Sequence, residues 1–415
     1  MDCESCESPT FVMALDMGAT FSGAYLVEMR YCPDHDLHRV YGERRLDKFR
    51  TAMSYDAGNG TVTFMGPEDT APIDRQLQYF KVALTGREDW QGSQEAPAEH
   101  EWVARHLQDL GVALAPATVV SEYFRGFFAH AWVALEMARE MSKPGAKLQV
   151  VVTHPACWSG GTQERFRRAV QDASIHDSIH WEDEAIAALR GVVYEMRGRW
   201  DHYAQGGDSI MVLDCGGLTA DAGLFRFKGN MYDLAHGSSS VSSRSQLLGS
   251  LGIDQRFRDV FQRLTRSALS PESREVLARD IANDERLAME RWTTMLRRPG
   301  QNQIQSGMSV RIAGRTHHIT RSEIMTQVFS DYISGLVSLV SCLYEHEVSH
   351  RGVAPKVLLV TGGITMGGLV LGLIREQVRH KYPGLEISLP QLQFRWNIVA
   401  YGAAHYLVNG TMPME

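Results

Sequence analysis

Two stretches of the chain follow one pattern, and this repeat limits the possible folds more than any other feature of the sequence. Residues 11–27 have the sequence FVMALDMGATFSGAYLV, and residues 209–225 have SIMVLDCGGLTADAGLF. In each, a short apolar run typical of a strand leads into Asp-x-Gly, and a second strand-like run follows the turn. Aligning Asp16 with Asp214 also brings the neighbouring apolar residues into register. We therefore predict two α/β lobes, each built around one hairpin.

The Asp-x-Gly turn has the chemistry of a phosphate site. Glycine lets backbone N–H groups approach an anion, and the carboxylate can face the metal ion that accompanies a phosphate. A third corner of this kind is formed by Gly362 and Gly363, which follow the apolar run of residues 356–361. A helix that begins there can point its N-terminus at an anion or a ribose. These corners predict a phosphate chain held between the two lobes.

The length of the chain agrees with two lobes, because 415 residues exceed what one hydrophobic core usually organises. We assign residues 1–200 to lobe I, with 43–116 as its outer subdomain and 386–415 returning to it. Residues 201–385 form lobe II, with about 246–319 as its outer subdomain.

Composition excludes several classes of protein. The net charge of −7 leaves no basic excess to neutralise the phosphates of a duplex, so we expect no nucleic-acid partner. No stretch reaches the roughly 20 apolar residues that cross a bilayer, and the acidic start of the chain is not a secretory signal. Six scattered cysteines do not form a disulfide framework, which favours a reducing, cytoplasmic location.

Several other elements can be read from the sequence. Thr320 and Glu323 have the spacing of a capping box at the start of a long apolar helix. The remaining expectations are an irregular region over about 41–116, a helix from 118, a buried strand over 148–153, a strand and helix over 179–189, a helical insert over 249–298, a strand over 356–361 and a final helix over 398–407.

Six motifs occur in a fixed order along nearly the whole chain: LDMGATFSG, VVVTHPACW, WEDEAIAAL, LDCGGLTAD, LLVTGG and VAYGAA. Together they resemble the nucleotide-binding domain of the 70-kilodalton heat-shock chaperones, in the superfamily that also holds actin and the sugar kinases. The FSG and YFK segments look most like the divergent branch abundant in fungi. The resemblance implies a two-lobed actin-like ATPase fold, with a ribonuclease-H-like sheet in each lobe and a central cleft. It leaves no room for the peptide-binding domain of that family, so we expect no chaperone activity.

The resemblance also implies roles for individual residues toward ATP or ADP and Mg²⁺. Asp16 and Asp214 would hold Mg²⁺ through its waters, and phosphoryl transfer would need little beyond positioning and charge neutralisation. Lys81 and Glu182 would flank the attacking water, and Thr219 would lie near the γ-phosphate. The residues at the positions that contact phosphate and adenosine in the family are Gly18, Ala19, Thr20, Gly216, Gly217, Leu218, Arg297, Gly362, Gly363 and Met366.

The chain departs from the family at several positions. In the Glu-x-x-Lys-Arg motif that clamps adenine, only Arg297 is kept, and Thr293 and Leu296 stand at the other two positions. The family has threonine where Ala19 stands, a third glycine where Leu218 stands, and serine and arginine where Ile364 and Met366 stand. An acid of the family is replaced by Trp396. The phosphate and metal end is therefore retained, whereas the adenine end is more apolar.

Two classes of function remain open. The first is a nucleotide-binding protein, a slow ATPase or a switch, whose lobes close on the nucleotide and signal to a protein partner. The second is a repurposed cleft that binds or transforms a small apolar molecule of specialised metabolism, with or without ATP. His154 and Cys157 can also be read as a nucleophile pair, but burial for structural reasons is favoured.

Overall fold

The computed structural model describes residues 7–32, 37–71, 75–89, 98–109, 111–155, 158–195, 207–226, 242–297, 306–389 and 396–410. The fold is mixed α/β. The strands are β1 (Thr10–Met17), β2 (Phe21–Cys32), β3 (Leu37–Arg50), β4 (Ala52–Asp56), β5 (Thr61–Phe64), β6 (Gln76–Gln78), β7 (Lys147–His154), β8 (Ile179–Asp183), β9 (Ser209–Cys215), β10 (Ala220–Arg226), β11 (Ser242–Gln246), β12 (Met308–Ile312), β13 (Arg315–Ile319), β14 (Val357–Thr361) and β15 (Glu386–Ser388).

The helices are α1 (Ala98–Asp109), α2 (Pro116–Ala134), α3 (Met137–Met141), α4 (Gly160–Asp172), α5 (Glu184–Glu195), α6 (Ser250–Ala268), α7 (Pro271–Val276), α8 (Ala278–Arg297), α9 (Arg321–Ile324), α10 (Ser330–Arg351), α11 (Leu369–Lys381) and α12 (Ile398–Gly410). A π-helical turn, Met325–Phe329, joins α9 to α10. Short 3₁₀ turns cover Val82–Leu84, Arg87–Asp89 and Gly363–Gly367.

Two five-stranded sheets of the described chain have corresponding strand orders. The first runs β3-β2-β1-β7-β8, and the second runs β11-β10-β9-β14-β15. In each sheet the central strand pairs antiparallel with the strand that follows it and parallel with a later strand. The repeat in the sequence is thus also a repeat of strand order.

The two hairpin turns share one hydrogen bond. The N–H of Gly18 donates to the carbonyl of Phe21 at 3.0 Å, and the N–H of Gly216 donates to the carbonyl of Thr219 at 2.9 Å. A side chain on either glycine would collide with that same carbonyl, since its Cβ would lie 2.4 Å from the oxygen at Gly18 and 2.8 Å from it at Gly216. Glycine is therefore required at both turns for close backbone approach.

Helices α5 and α12 pack between the two sheets. Their apolar residues form one buried cluster with side chains of β1 and β2 on one side and of β9 and β14 on the other. The helices cross closely at Gly191 and Gly402, where a Cβ on Gly402 would lie 1.8 Å from the carbonyl of Ala187. The opposite face of the first sheet is covered by α2 and α4, and that of the second by α6, α8, α10 and α11.

The sequence located many elements correctly. The capping box is present: Thr320 accepts from the N–H of Glu323, whose carboxylate accepts from the N–H of Thr320. The helical insert spans α6 to α8, and the last helix begins at Ile398 as expected. Within the part of the chain that the structure describes, no helix is both long enough and apolar enough to span a membrane.

One expectation about the first sheet is wrong. The sequence suggested an irregular region from about residue 41, but β3 is a strand of 14 residues that pairs with β2 along its length. Its sequence, LHRVYGERRLDKFR, has few apolar residues, because it lies at the edge of the sheet.

The helix crossing predicts a contrast between two glycines. Gly402→Ala should lower the free energy of unfolding by about 2 kcal/mol or more, because the added methyl has no space against α5. Gly372→Ala in α11 should be neutral or raise it by about 0.5–1 kcal/mol, since a Cβ there meets no atom within 4 Å. Urea unfolding of the two variants measures both values. Equal stability of the two variants would contradict the close packing of α5 and α12.

Candidate functional site

The two Asp-x-Gly turns meet at one cleft with an accessible volume of about 80 Å³. This volume is below the range of about 300–1,000 Å³ that is usual for small-molecule sites. The residues that line it are Asp16, Gly18, Ala19, Thr20, Phe21, Lys48, Lys81, Pro155, Glu184, Asp214, Cys215, Gly216, Gly217, Leu218, Thr219, Ser250, Gly362, Gly363, Ile364, Trp396, Ile398 and Val399. Most of the residues expected at the phosphates are therefore together.

Asp16 lies at the end of β1 and is almost fully buried. Its Oδ2 is 2.6 Å from Nζ of Lys48, and its Oδ1 accepts a hydrogen bond of 3.2 Å from the hydroxyl of Thr153. Burial alone would lower the pKa of Lys48, but the Asp16 carboxylate raises it above its usual value, and Asp214 and Glu184 act in the same direction. The first predicted metal position thus holds a stable ion pair.

Asp214 lies near the end of β9, opposite Asp221 of β10. Burial raises its pKa from 3.8 to about 7, Lys48 opposes this rise, and the neighbouring carboxylates of Glu184 and Asp16 add to it. Thr219 also lines the cleft, and its hydroxyl donates a hydrogen bond of 2.7 Å to Asp221. The second turn therefore presents a carboxyl group that titrates near neutral pH.

Lys81 is held from several sides. Its Nζ donates to Oε1 of Glu184 at 2.9 Å and to the carbonyl of Met17. The same Nζ lies 5.2 Å from the ring centroid of Trp158 and 5.5 Å from that of Phe166. With only 1% of its surface exposed, this lysine is fixed at the floor of the cleft.

The expectation for Glu182 needs correction. Its carboxylate is paired with Arg190 and is not part of the cleft lining, whereas Glu184 is the acid that contacts Lys81. The strand β8 ends at Asp183, so Glu184 is the first residue of α5. Burial raises the pKa of Glu184, and the Lys81 ammonium opposes that rise.

The two turns touch each other across the cleft. A Cβ on Gly217 would lie 2.2 Å from the hydroxyl oxygen of Thr20, so the Thr20 side chain fills the space that glycine leaves open. Leu218 packs with Ala19 in a small buried cluster whose other members are Val82, Val103 and Leu251. Leu218 therefore joins the two turns by an apolar contact.

The third glycine corner also reaches the cleft. Gly362 has φ of 101°, and a Cβ there would lie 2.1 Å from the carbonyl oxygen of Cys215. Glycine is thus required where β14 passes the end of β9. Gly363 borders open space and lines the cleft as expected.

Only some of the residues expected near adenine line the cleft. Ile364 and Trp396 line the cleft, and the ring of Trp396 makes an edge contact with Phe21 at 5.5 Å between centroids. Met366 is half-buried in the 3₁₀ turn and is not among the lining residues. The side chain of Arg297 lies outside the described part of the chain.

A larger outer cavity of about 750 Å³ lies beside the cleft, lined by residues of β3, β4 and β6 and by helices α6 and α8. Lys48 lines both spaces. Its side chain is therefore the boundary between the inner cleft and the outer cavity.

Sequence reasoning missed Lys48 because it lies in β3, in the region taken to be irregular. It missed Glu184 because the family motif was aligned on the acid two residues earlier. The one available signal was the pattern Glu-Asp-Glu before the apolar helix of residues 184–195, which offers an acid at the helix start as well as at the strand end.

His154 is buried and its pKa is lowered by burial, whereas Cys157, its partner in the suggested nucleophile pair, lies outside the described residues.

The acids of the cleft do not form a ready magnesium site. Asp16 is paired with Lys48 and Glu184 with Lys81, which leaves Asp214 as the cleft carboxylate with no ion pair among the described residues. Over that part of the chain, no group of three or more His, Cys, Asp and Glu side chains is placed to hold a metal ion. The residues present therefore do not fit a directly bound Mg²⁺.

No protein-family model matches this chain, and no curated protein does either.

The raised pKa of Asp214 predicts a pH dependence of stability. The folded protein holds this proton more tightly than the unfolded chain, so the contribution is present at acid pH and is lost as the pH rises through about 7. Between pH 5 and 8 the wild type should lose roughly 2 kcal/mol more than Asp214→Asn, which cannot titrate there. Denaturant unfolding of both proteins across this range measures the difference, and parallel pH profiles would disprove the shift.

Proposed function

We propose that this protein binds a nucleotide, with its phosphates between the two Asp-x-Gly turns. We also infer that the fold is the two-lobed actin-like fold, with a ribonuclease-H-like sheet in each lobe. The corresponding strand orders of the two five-stranded sheets support this inference. In this proposal the chain is a relative of the heat-shock-70 nucleotide-binding domains, and closure of its lobes on the nucleotide is the signal to a partner.

The proposal rests on backbone N–H groups at the tips of the two turns that lack hydrogen-bond partners among the described residues. The N–H groups of Ala19, Thr20, Gly217 and Leu218 make no hydrogen bond with any described residue, and all four residues line the cleft. Unpaired backbone amides at two turns that line one cleft can form a concave site for an anion. A phosphate chain supplies the acceptors that these donors lack.

Two ammonium groups of the cleft can also donate to a phosphate. Lys48 and Lys81 both line the cleft, each paired with one buried acid, and a phosphate group can accept from an ammonium group without breaking its ion pair. The proposal is limited to binding. Glu182 is not among the residues that line the cleft, and Glu184 lines it while paired with Lys81.

Isothermal titration calorimetry with ATP, ADP and inorganic triphosphate tests the proposal. Lys81→Met should weaken ATP binding at least tenfold, because it removes an ammonium group from the floor of the cleft; a tenfold loss equals about 1.4 kcal/mol. Lys356→Met is the matched control, since Lys356 pairs with Asp208 at an exposed site. Circular dichroism checks that Lys81→Met is folded. Absence of heat with every nucleotide, or an equal effect of both substitutions, would contradict the proposal.

A second candidate is a site for a small apolar molecule. It is favoured by the aromatic pair of Phe21 and Trp396, which with Ile364, Ile398 and Val399 makes one end of the cleft apolar. The two candidates differ in calorimetry. A silent titration with nucleotides, together with binding of an apolar fluorescent dye that Trp396→Ala abolishes, would select the second.

A further inference from the structure

Lys48 is aimed at Asp16 by a local irregularity of the first sheet. The pairing of β2 with β3 shifts between Ser22 and Ala24, so that Asp47 and Lys48 together lie opposite Gly23. A bulge of this kind redirects the side chain that it contains. Gly23 lies directly opposite Asp16 on β1, and a Cβ on Gly23 would lie 2.7 Å from Cγ of Lys48. The lysine stem thus passes through the space of the absent side chain to reach the acid.

Of the buried carboxylates near the Lys48 ammonium group, Asp16 is paired with it directly and Asp214 is not. Lys48 is 2.6 Å from Oδ2 of Asp16, and only 16% of its side chain is exposed. Asp214 comes from the other turn and is 6% exposed. It lines the same cleft and has no direct hydrogen bond or ion pair with a described residue, but the charge of Lys48 acts on it. A buried carboxylate is costly without an opposite charge nearby, and Lys48 supplies that charge.

We propose that Lys48 is a built-in cation at the position between the two turns where a divalent metal ion would otherwise bind Asp16 and Asp214. Metal and ammonium then compete for the same carboxylates. This inference rests on the proposed nucleotide binding only because it takes the same cleft to be the functional site. Lys48 therefore determines how tightly the cleft binds a divalent metal ion.

The outer cavity gives the lysine a place to move. Because Lys48 lines both spaces, its flexible four-carbon stem can turn toward the outer cavity without a change in the strands. An ion that displaced it would meet the carboxylates of Asp16 and Asp214, which line the same cleft. Divalent ions prefer such carboxylate oxygens with several waters retained.

Binding of Mn²⁺ alone tests this competition, because no nucleotide is present. Electron paramagnetic resonance measures free Mn²⁺ during titration of the wild type, Lys48→Met and Lys48→Arg. We expect Lys48→Met to gain one Mn²⁺ site that is at least tenfold tighter than any in the wild type. Lys48→Arg keeps the cation and should behave as the wild type does. The double variant Lys48→Met/Asp16→Asn should lose the gain.

Two outcomes would overturn the inference. One is an equal Mn²⁺ affinity in the wild type and Lys48→Met, and the other is a gain that survives Asp16→Asn. If Lys48→Met does not fold, Lys48→Gln takes its place, because its amide can still donate a hydrogen bond to Asp16. A failure here leaves the calorimetry with nucleotides unaffected, so the two proposals can fail separately.

Discussion

The site depends on the packing of α5 and α12 between the two five-stranded sheets. At Gly191 and Gly402 the helices approach so closely that a methyl group has no room. The cluster around them also contains side chains of the two central strands, β1 and β9. Each central strand ends in one Asp-x-Gly turn. The spacing set by the helix pair therefore brings the two turns to one cleft, from parts of the chain that are far apart in sequence.

A second constraint follows from burial. Three carboxylates line a cleft that is largely shielded from water, where each isolated charge is costly. The protein balances them in different ways: Lys48 pairs with Asp16, Lys81 pairs with Glu184, and the pKa of Asp214 rises to about 7. The same arrangement leaves the tip amides of both turns without partners among the described residues. An anion that meets these amides and the two ammonium groups is the ligand that we propose.

The sequence predicted what depends on local pattern. The two hairpins were recognisable because an apolar strand before Asp-x-Gly has few other uses, and the capping box was recognisable because Thr320 and Glu323 are three residues apart. It could not show that Glu184 rather than Glu182 meets Lys81. Which acid meets Lys81 depends on the residue at which β8 ends and α5 begins. Adjacent residues of a strand point to opposite faces, so a small shift of this boundary changes the direction of a side chain.

Contacts between distant segments were beyond sequence reasoning. Leu218 looked like an obstacle to phosphate, and only the structure places it against Ala19 and Val103 in a buried cluster. Sequence reasoning did not assign Lys48 to the site, for a different reason. It lies on a polar edge strand whose composition resembles a loop, and a bulge opposite Gly23 gives it its direction.

Hydrogen–deuterium exchange with and without ATP tests the central claim, that the two turns form one anion site, most directly. If they do, ATP slows amide exchange in the segments around residues 16–20 and 214–219 together, with the same dependence on ATP concentration. Slower exchange in only one of these segments, or only in the segments that line the outer cavity, would contradict it.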